Sequence, residues 1–315
     1  MNFLFLMDPL ETVKLHTDTS YIFMRGAHQR GHKVFFLPSG GITLKNGQVF
    51  FKCTQVVPND DEKFHFDIIE ETVLSDDDAD ALFIRTDPPF DDEYLMNTWL
   101  LDRAAEKVVV VNNPSAVRTV NEKVWATQFT DLIPRTVVSR HLEDFREFLA
   151  EEKQIIIKPT DGFGGAGVFK ISEDGSNKNV SFEVISERGK KEVIMQQYIP
   201  EAHIGDKRLL LLNGELLGAV LRVHGEDDHR NNFYAGGSAV ACEVTERDRE
   251  VISVLKPHLQ KMGLYFVGID MIGDYLIEVN VTSPTCLQEM NRLYKCQLEL
   301  KVIEFTENLV ENKEK

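Results

Sequence analysis

The chain has 315 residues, with 35 Lys and Arg against 51 Asp and Glu, so its net charge is −16. This length and a hydrophobic content of 43% are typical of a soluble globular protein with two or three domains. The acidic balance argues against binding to nucleic acid or to anionic membranes, since both require a basic surface. Apolar runs are too short to span a bilayer, and the four cysteines are scattered, so we expect a cytoplasmic protein with free thiols.

Strand and helix patterns alternate over residues 1–120. Strands are predicted at "NFLFLMD", "HKVFFLP", "ALFIRTD" and "KVVVVNN", and helices at "DTSYIFMRGAHQRG" and from 91 to 106. Asp18 is a candidate helix cap, and Asn46-Gly47 predicts a β-hairpin. Strands that alternate with helices indicate a mostly parallel sheet covered on both faces. We therefore expect an N-terminal α/β domain.

The pattern changes after residue 120. A helix is predicted over 115–129, a strand at "PRTVVSR", a helix at "LEDFREFLAEE" and a strand at "QIIIKP". From residue 193 the strands are predicted to be antiparallel, with a turn at Asn213-Gly214, and helices are predicted near 246–262 and 297–311. This part of the chain has the pattern of an α+β fold.

Four glycines lie within "KPTDGFGGAGVF", directly after the predicted strand that ends in Lys158. A backbone almost free of side chains lets N–H groups approach a ligand closely, and phosphate oxygens are the usual partner. The two common phosphate fingerprints do not fit, because the lysine precedes the loop and no helix with a distal acid follows it. A flexible hairpin tip explains this composition equally well.

A second motif is "GIDMIGDYLIEVNVTSPT" at 268–285. Glu278 and Asn280 are two residues apart on one predicted strand, so their side chains share a face. A two-residue turn at Gly273-Asp274 places Asp270 on the opposite face, whereas a three-residue loop at 272–274, or a bulge, returns it to theirs. Oxygen ligands of this kind suit Mg²⁺. The alternative is a half-exposed strand whose polar side chains face solvent.

Two further segments suggest a ligand site. Arg85, in "RTDPPFD", follows a predicted parallel strand, and ligands collect at the carboxyl ends of such strands. A surface arginine is the alternative. The segment "NNFYAGG" at 231–237 suits a lid over phosphates, with Arg230 or Asn232 as donors. An ordinary surface loop is the alternative there.

Together these motifs resemble those of bacterial glutathione synthetases, which are members of the ATP-grasp superfamily. The resemblance extends over nearly the whole chain and is carried by "RTDPPFD", "NNPSAVRTVNEK", "IIIKPTDGFGGAGVF", "GDKRLLLLNGE" and "FVGIDMIGDYLIEVNVTSPT". It implies α/β and α+β architecture in an ATP-grasp fold. The implied parts are an N-terminal substrate-binding domain with a parallel sheet (1–120), a small lobe with the glycine loop (121–197) and a large lobe with a metal site (198–315).

The resemblance also implies roles for individual residues. Nucleotide contacts are expected from Lys123, Lys158, Gly162, Phe163, Gly164, Gly165, Gln196, Gln197, Tyr198, Ile199, Asp206, Arg230 and Asn232. Catalytic contacts near the transferred phosphate are expected from Lys158, Arg222, Gly236 and Gly237. Substrate contacts are expected from Arg85, Arg222, Ser283 and Pro284, and metal ligands are expected to be Asp270, Glu278 and Asn280.

The implied reaction joins γ-glutamylcysteine to glycine with ATP and Mg²⁺, for which Mn²⁺ is a substitute, through an acyl phosphate. A homo-oligomer, either a tetramer or a dimer, is expected from the resemblance alone. One alternative is another carboxylate–amine ligase of the superfamily with a different acceptor amino acid, and "DPPFD" with Arg85 argues against it. A second alternative is a non-catalytic nucleotide-binding regulatory module. The presence of Lys158, Glu278 and Asn280 argues against that function.

Overall fold

The N-terminal part is built on a seven-stranded sheet in a computed structural model that describes residues 1–162, 164–223 and 238–313. Its strands are β1 (Asn2–Leu6), β2 (Lys33–Leu37), β3 (Ile42–Lys45), β4 (Gln48–Pro58), β5 (Phe66–Ser75), β6 (Ala81–Ile84) and β7 (Val109–Val111). Its helices are α1 (Thr19–Gln29), α2 (Asp92–Ala104) and α3 (Pro114–Thr119). Asp18 caps α1 as predicted, because its carboxylate accepts the N–H of Tyr21.

The parallel arrangement is confined to the centre of this sheet. Strands β2, β1, β6 and β7 run parallel, and β1 is apolar and buried, as expected for a strand covered on both faces. The hairpin at Asn46-Gly47 is confirmed, and it makes β3 and β4 antiparallel. Strand β5, which the sequence did not predict, extends the sheet by pairing with β4. The expected mostly parallel sheet is therefore only half parallel.

The small lobe is a four-stranded antiparallel sheet covered by two helices. It contains β8 (Thr136–Ser139), α4 (Leu142–Glu152), β9 (Gln154–Pro159), β10 (Phe169–Ser172), α5 (Lys178–Ile185) and β11 (Val193–Gln197), in the strand order β10-β9-β11-β8. Its hydrophobic cluster is separate from those of the other parts and centres on stacked Phe145 and Phe182.

The large lobe is a five-stranded antiparallel sheet in the order β14-β13-β12-β15-β16. Its elements are β12 (Asp206–Leu212), β13 (Glu215–Val223), β14 (Ser238–Val240), α6 (Glu246–Met262), β15 (Phe266–Ile272), β16 (Tyr275–Asn280), α7 (Leu287–Tyr294) and α8 (Leu298–Asn312). The predicted turn at Asn213-Gly214 is confirmed, because Leu212 pairs with Glu215. Two hydrophobic clusters each combine side chains of this lobe with side chains of the N-terminal sheet.

The predicted helix over 115–129 is wrong. Helix α3 ends at Thr119, and only a 3₁₀ turn, Trp125–Gln128, follows. The side chain of Asn121 accepts the N–H groups of Lys123 and Val124, so it competes with helical hydrogen bonding. The carbonyl of Glu122 accepts the N–H of Val279, so the broken segment pairs with the large lobe.

Within the described part of the chain, none of the helices combines the length and the apolar character needed to cross a bilayer.

Candidate active site

The glycine loop follows β9 as predicted, and its geometry requires glycine. Gly164, Gly165 and Gly167 have φ angles of 59°, 75° and 73°, in the left-handed region that other residues rarely adopt. A Cβ on Gly162 would lie 2.6 Å from Cγ of Pro159. The loop therefore brings nearly bare backbone next to the end of β9, where Lys158 lies.

Two lysines converge on one carboxylate. Nζ of Lys123 lies 3.6 Å and Nζ of Lys158 lies 3.8 Å from Oε1 of Glu278. Lys123 also donates a hydrogen bond to the carbonyl of Gly162. Burial lowers the pKa of Lys158 to about 8, although the attraction of Glu278 opposes this shift. The loop, both predicted phosphate-binding lysines and one predicted metal ligand thus form a single cluster.

The β15–β16 hairpin has a tight turn and a bulge, so the three-residue loop at 272–274 is wrong. Ile272 pairs with Tyr275 across the two-residue turn, and the register then shifts, so that Asp270 pairs with Glu278. One extra residue on β16, Ile277, produces this shift. The bulge is the alternative route by which Asp270 returns to the face of Glu278 and Asn280. The three predicted metal ligands therefore share a face.

Asp270 is bound by two arginines, Arg208 on the adjacent strand β12 and Arg222 on β13, one strand further away. Arg208 donates from Nε to Oδ1 at 2.7 Å and from Nη2 to Oδ2 at 2.6 Å, and Arg222 donates to Oδ2 at 2.8 Å. Burial alone would raise the pKa of Asp270, but the two guanidinium groups outweigh burial and hold that pKa well below its usual range. Asp270 is thus a carboxylate anion with several of its acceptor positions already used.

The donor set fits a hard divalent cation that also binds phosphate. Glu278 and Asp270 supply carboxylate oxygens, and Asn280 uses its amide nitrogen towards Asp270 and the carbonyl of Gly268, both at 3.4 Å, so its amide oxygen remains the atom suited to a cation. Over the described residues, no group of three or more His, Cys, Asp or Glu side chains is placed to hold a metal. Two carboxylates and an amide match a cation such as Mg²⁺ that takes its other ligands from phosphates and water.

Arg85 lies directly after β6, as predicted, but it is buried and not on the surface. Nε donates to Oγ of Ser20 at 3.0 Å and Nη2 donates to the carbonyl of Pro284 at 3.2 Å. Nη1 is buried without a hydrogen-bond partner. Oγ of Ser283 donates to Asp87 at 2.6 Å. The fold therefore brings together Arg85, Ser283 and Pro284, the predicted substrate contacts outside the arginine cluster, and leaves one guanidinium nitrogen for an anion.

The segment expected to receive adenine lies at the end of β11. Gln196 is buried and donates to Oγ1 of Thr136 at 3.0 Å, the backbone N–H of Gln197 donates to the carbonyl of Arg135, and Ile199 is buried. The ring of Tyr198 has Nζ of Lys170 3.5 Å from its centre.

Asp206, the first residue of β12, is paired with an arginine. Its carboxylate accepts hydrogen bonds from Nε of Arg222, at 3.0 Å, and from Nη2 of the same side chain. The two residues are cross-strand partners, so Asp206 belongs to the arginine cluster with Asp270. Its role as a ribose contact stays a prediction.

Five predicted contacts, which are Phe163, Arg230, Asn232, Gly236 and Gly237, lie outside the described residues. Conversely, two residues that contact the site were not predicted from the sequence: Arg208, which binds Asp270, and Glu122, whose carbonyl accepts the N–H of Val279 next to Glu278. Arg208 has a weak signal, because it is two positions after Asp206 on a strand and therefore shares its face. No sequence pattern marks Glu122, because the helix that we predicted over 115–129 gave no indication that this residue pairs with β16.

Family models match almost the whole chain. The model of the prokaryotic glutathione synthetase N-terminal domain matches residues 1–118, and that of the prokaryotic glutathione synthetase ATP-grasp domain matches residues 122–295. Among curated relatives, the glutathione synthetase of Pseudomonas aeruginosa is 37% identical over 295 residues, which is 93% of each chain. That of Ralstonia nicotianae is 40% identical and covers 93% of this chain and 91% of its own. That of Gloeobacter violaceus is 39% identical and covers 97% and 96%.

Solved structures of low sequence identity share the fold. The crystal structure of the D-cycloserine synthetase DcsG matches with a TM-score of 0.70 at 14% identity over the full length of both chains. D-alanyl-alanine synthetase A from Vibrio cholerae matches with a TM-score of 0.62 at 14% identity, over 99% of this chain and 98% of its own. With the family models, these matches confirm the predicted ATP-grasp fold.

Proposed function

The chain belongs to the prokaryotic glutathione synthetase family, and on that premise we propose how its residues carry out the family's reaction. It is an ATP-dependent carboxylate–amine ligase that forms glutathione, and it uses ATP with a divalent metal. The observation that carries the residue assignments is the convergence of Lys123 and Lys158 on Glu278, beside the glycine loop and opposite Asp270.

The proposed reaction has two steps. The cysteinyl carboxylate of γ-glutamylcysteine attacks the γ-phosphorus of ATP, so a P–O bond forms to the dipeptide while the bond to ADP breaks. The amine of glycine then attacks the acyl carbon, phosphate leaves, and the amine loses a proton as the amide forms. Phosphoryl transfer of this kind needs alignment and charge neutralisation more than covalent help from the protein.

Positive charge for the phosphates comes from Lys123, Lys158 and Arg222. Lys123 donates to the glycine loop, Lys158 lies near Glu278, and Arg222 donates to Asp270. Glu278, Asp270 and Asn280 are proposed to hold Mg²⁺, with Mn²⁺ as a substitute. When bound, this cation neutralises charge on the transferring phosphoryl group.

The substrate side is proposed to be the cluster of Arg85, Ser283 and Pro284. The unpartnered Nη1 of Arg85 suits a dipeptide carboxylate, and a buried cation of this kind binds a carboxylate more strongly than an exposed one. Ser283 and Pro284 follow β16. Pro284 accepts a hydrogen bond from Arg85 and Ser283 donates one to Asp87, so both residues are proposed to line the part of the site that binds glycine.

Further proposals concern the nucleotide contacts, the domain boundaries, the cellular location and the oligomeric state. Residues 196–199 are proposed to receive adenine and Asp206 to contact the ribose. The functional units are proposed as 1–120, 121–197 and 198–315, and the protein is proposed to be a cytoplasmic homo-oligomer.

One assay tests the reaction and the acceptor together. Phosphate release from ATP is measured with γ-glutamylcysteine, with glycine, with both, and with other amino acids in place of glycine, while glutathione is quantified in the same samples. We expect release to be stoichiometric with glutathione only when both substrates are present. Preference for another acceptor would instead indicate a related ligase.

A further inference from the structure

Three consecutive side chains after α3 reach two different walls of the site. Nδ2 of Asn121 donates to the carbonyl of Thr160 at 3.1 Å, and Nζ of Lys123 donates to the carbonyl of Gly162. Both contacts are on the glycine loop. Glu122, between them, contacts the large lobe just after the end of β16. The segment 121–123 is therefore a strap between the loop and the large lobe.

A single oxygen of Glu122 holds the end of β16. Oε1 accepts the backbone N–H of Val281 at 2.8 Å, the N–H of Thr282 at 3.0 Å and the hydroxyl of Thr282 at 2.8 Å. The backbone carbonyl of Glu122 also accepts the N–H of Val279 at 2.9 Å. Hydrogen bonds to an ionised acceptor are stronger than those to a neutral one. Three donors on one carboxylate oxygen therefore hold the backbone of Val281 and Thr282 in a fixed position.

The residues on either side of this contact belong to different halves of the reaction. Glu278 and Asn280 precede it and are the proposed metal ligands. Ser283 and Pro284 follow it directly, and they bind Asp87 and Arg85 of the N-terminal domain. The position of the acceptor end relative to the phosphates therefore depends on the course of the chain through residues 281–282.

We propose that Glu122 is a positioning residue that sets the distance between the phosphate-binding and acceptor-binding halves of the site. It acts through Val281 and Thr282 and contacts neither substrate. This inference rests on the proposed function. It adds to it a residue that couples ATP consumption to amide formation. When the acceptor end is correctly placed, the glycine amine reaches the acyl phosphate before water does. When it is displaced, the same intermediate is lost to hydrolysis.

The test compares Glu122→Gln with wild type in the ratio of phosphate released to glutathione formed. Glutamine keeps the length and an accepting oxygen but removes the charge, so each of the three hydrogen bonds weakens. We expect the ratio to rise above one and the KM for glycine to rise about 5- to 10-fold, with the KM for ATP within about twofold of wild type. A purely structural role would lower yield and melting temperature but would leave the ratio at one.

Asn121→Asp is the matched control, because it keeps the oxygen that accepts the N–H groups of Lys123 and Val124 and removes only the Nδ2 donor to the carbonyl of Thr160 on the loop side. It is expected to raise the KM for ATP and leave the KM for glycine unchanged. Thr282→Val removes one of the three donors, so it is expected to change the same parameters as Glu122→Gln, by about 2- to 5-fold.

The outcomes separate the two proposals. If wild type forms no glutathione, the proposed function fails, and this inference fails with it. If wild type forms glutathione and both Glu122→Gln and Thr282→Val keep a ratio of one and a wild-type KM for glycine, only the role of Glu122 is overturned. Should Glu122→Gln fail to fold, Thr282→Val decides alone.

Discussion

The two cationic halves of the site differ in how firmly they are held. Lys123 and Lys158 lie 3.6 and 3.8 Å from Glu278, beyond hydrogen-bonding distance, whereas Arg208 and Arg222 lie 2.6 and 2.8 Å from Asp270 within hydrogen bonds. The lysine half is loosely paired and its charges remain available to phosphates. In the arginine half, hydrogen bonds from Arg208 and Arg222 fix the carboxylate of Asp270 in place, and Arg222 also adds the positive charge proposed for the phosphates.

Burial affects the two halves in opposite ways. It lowers the pKa of Lys158 to about 8, because one shared carboxylate does not compensate two ammonium groups for lost hydration. On the other side, two guanidinium groups hold the pKa of Asp270 well below its usual range despite burial. We therefore expect substitutions in the lysine half to affect mainly ligand binding and turnover, and substitution of Arg208 in the arginine half to affect mainly stability.

The largest expected effect is on stability, from Arg208→Ala. This change leaves Asp270 buried with one fewer partner, and breaking a buried ion pair from one side costs about 3–5 kcal/mol. Denaturant unfolding, monitored by circular dichroism, measures the loss. An unfolding free energy within about 1 kcal/mol of wild type would show that Arg208 does not hold Asp270 in solution and would remove the distinction between the halves.

Next in size is the effect of Glu278→Gln on turnover. Glutamine preserves shape, so folding is expected to survive, but the charge that faces the lysines and the proposed cation is lost. Removing one strong electrostatic partner of a transferring group lowers the rate by about 10²- to 10³-fold. Turnover at limiting Mg²⁺ gives the result. Asn280→Asp, which keeps an oxygen at a proposed ligand position, is expected to be tolerated. Wild-type turnover of Glu278→Gln would exclude Glu278 from the metal site.

Arg85→Ala tests whether Arg85 belongs to neither the lysine half nor the arginine half and instead binds the dipeptide. A charge-assisted contact to a carboxylate is worth about 1.5–3 kcal/mol, so the KM for γ-glutamylcysteine is expected to rise about 10- to 150-fold. The KM for ATP is expected to change little. Initial rates at varied concentrations of each substrate measure both. A larger rise in the KM for ATP would place Arg85 on the nucleotide side.

The smallest expected effect is the stability change of Lys158→Met. Methionine has similar length and no charge, so it removes a costly buried ammonium group and the free energy of unfolding is expected to stay within about 1 kcal/mol of wild type. The KM for ATP should nevertheless rise by at least about tenfold. Unfolding and kinetics on one preparation provide the check. A loss as large as that of Arg208→Ala would show that Lys158 is structural.

The sequence predicted features that depend on nearby residues. The cap at Asp18 and the hairpin at Asn46-Gly47 are set within a few positions, so their patterns were sufficient. The shared face of Asp270 and Glu278 depends on a bulge whose place no local pattern marks, and the sequence left it open.

Long-range partners explain the failures. The helix expected over 115–129 is interrupted locally at Asn121, but the pairing of Glu122 with residues about 160 positions away in the sequence has no local pattern. Arg208 was missed because its partner, Asp270, lies 62 residues further along the chain. Hydrophobic periodicity reports which face of an element is buried, but it does not report which polar side chain from a distant element meets it.

The shared cores have a consequence for synthesis on the ribosome. Helix α1 packs against α8, and Arg30 and His32 contact Glu307. Much of the surface that covers the N-terminal sheet is therefore translated well after the sheet itself, and at about 5–20 residues per second the nascent domain waits tens of seconds for it. The small lobe, whose hydrophobic cluster uses only residues between 137 and 195, has no such delay. Newly made chains are thus expected to need chaperone protection at their amino-terminal end, and to release it only when α8 emerges.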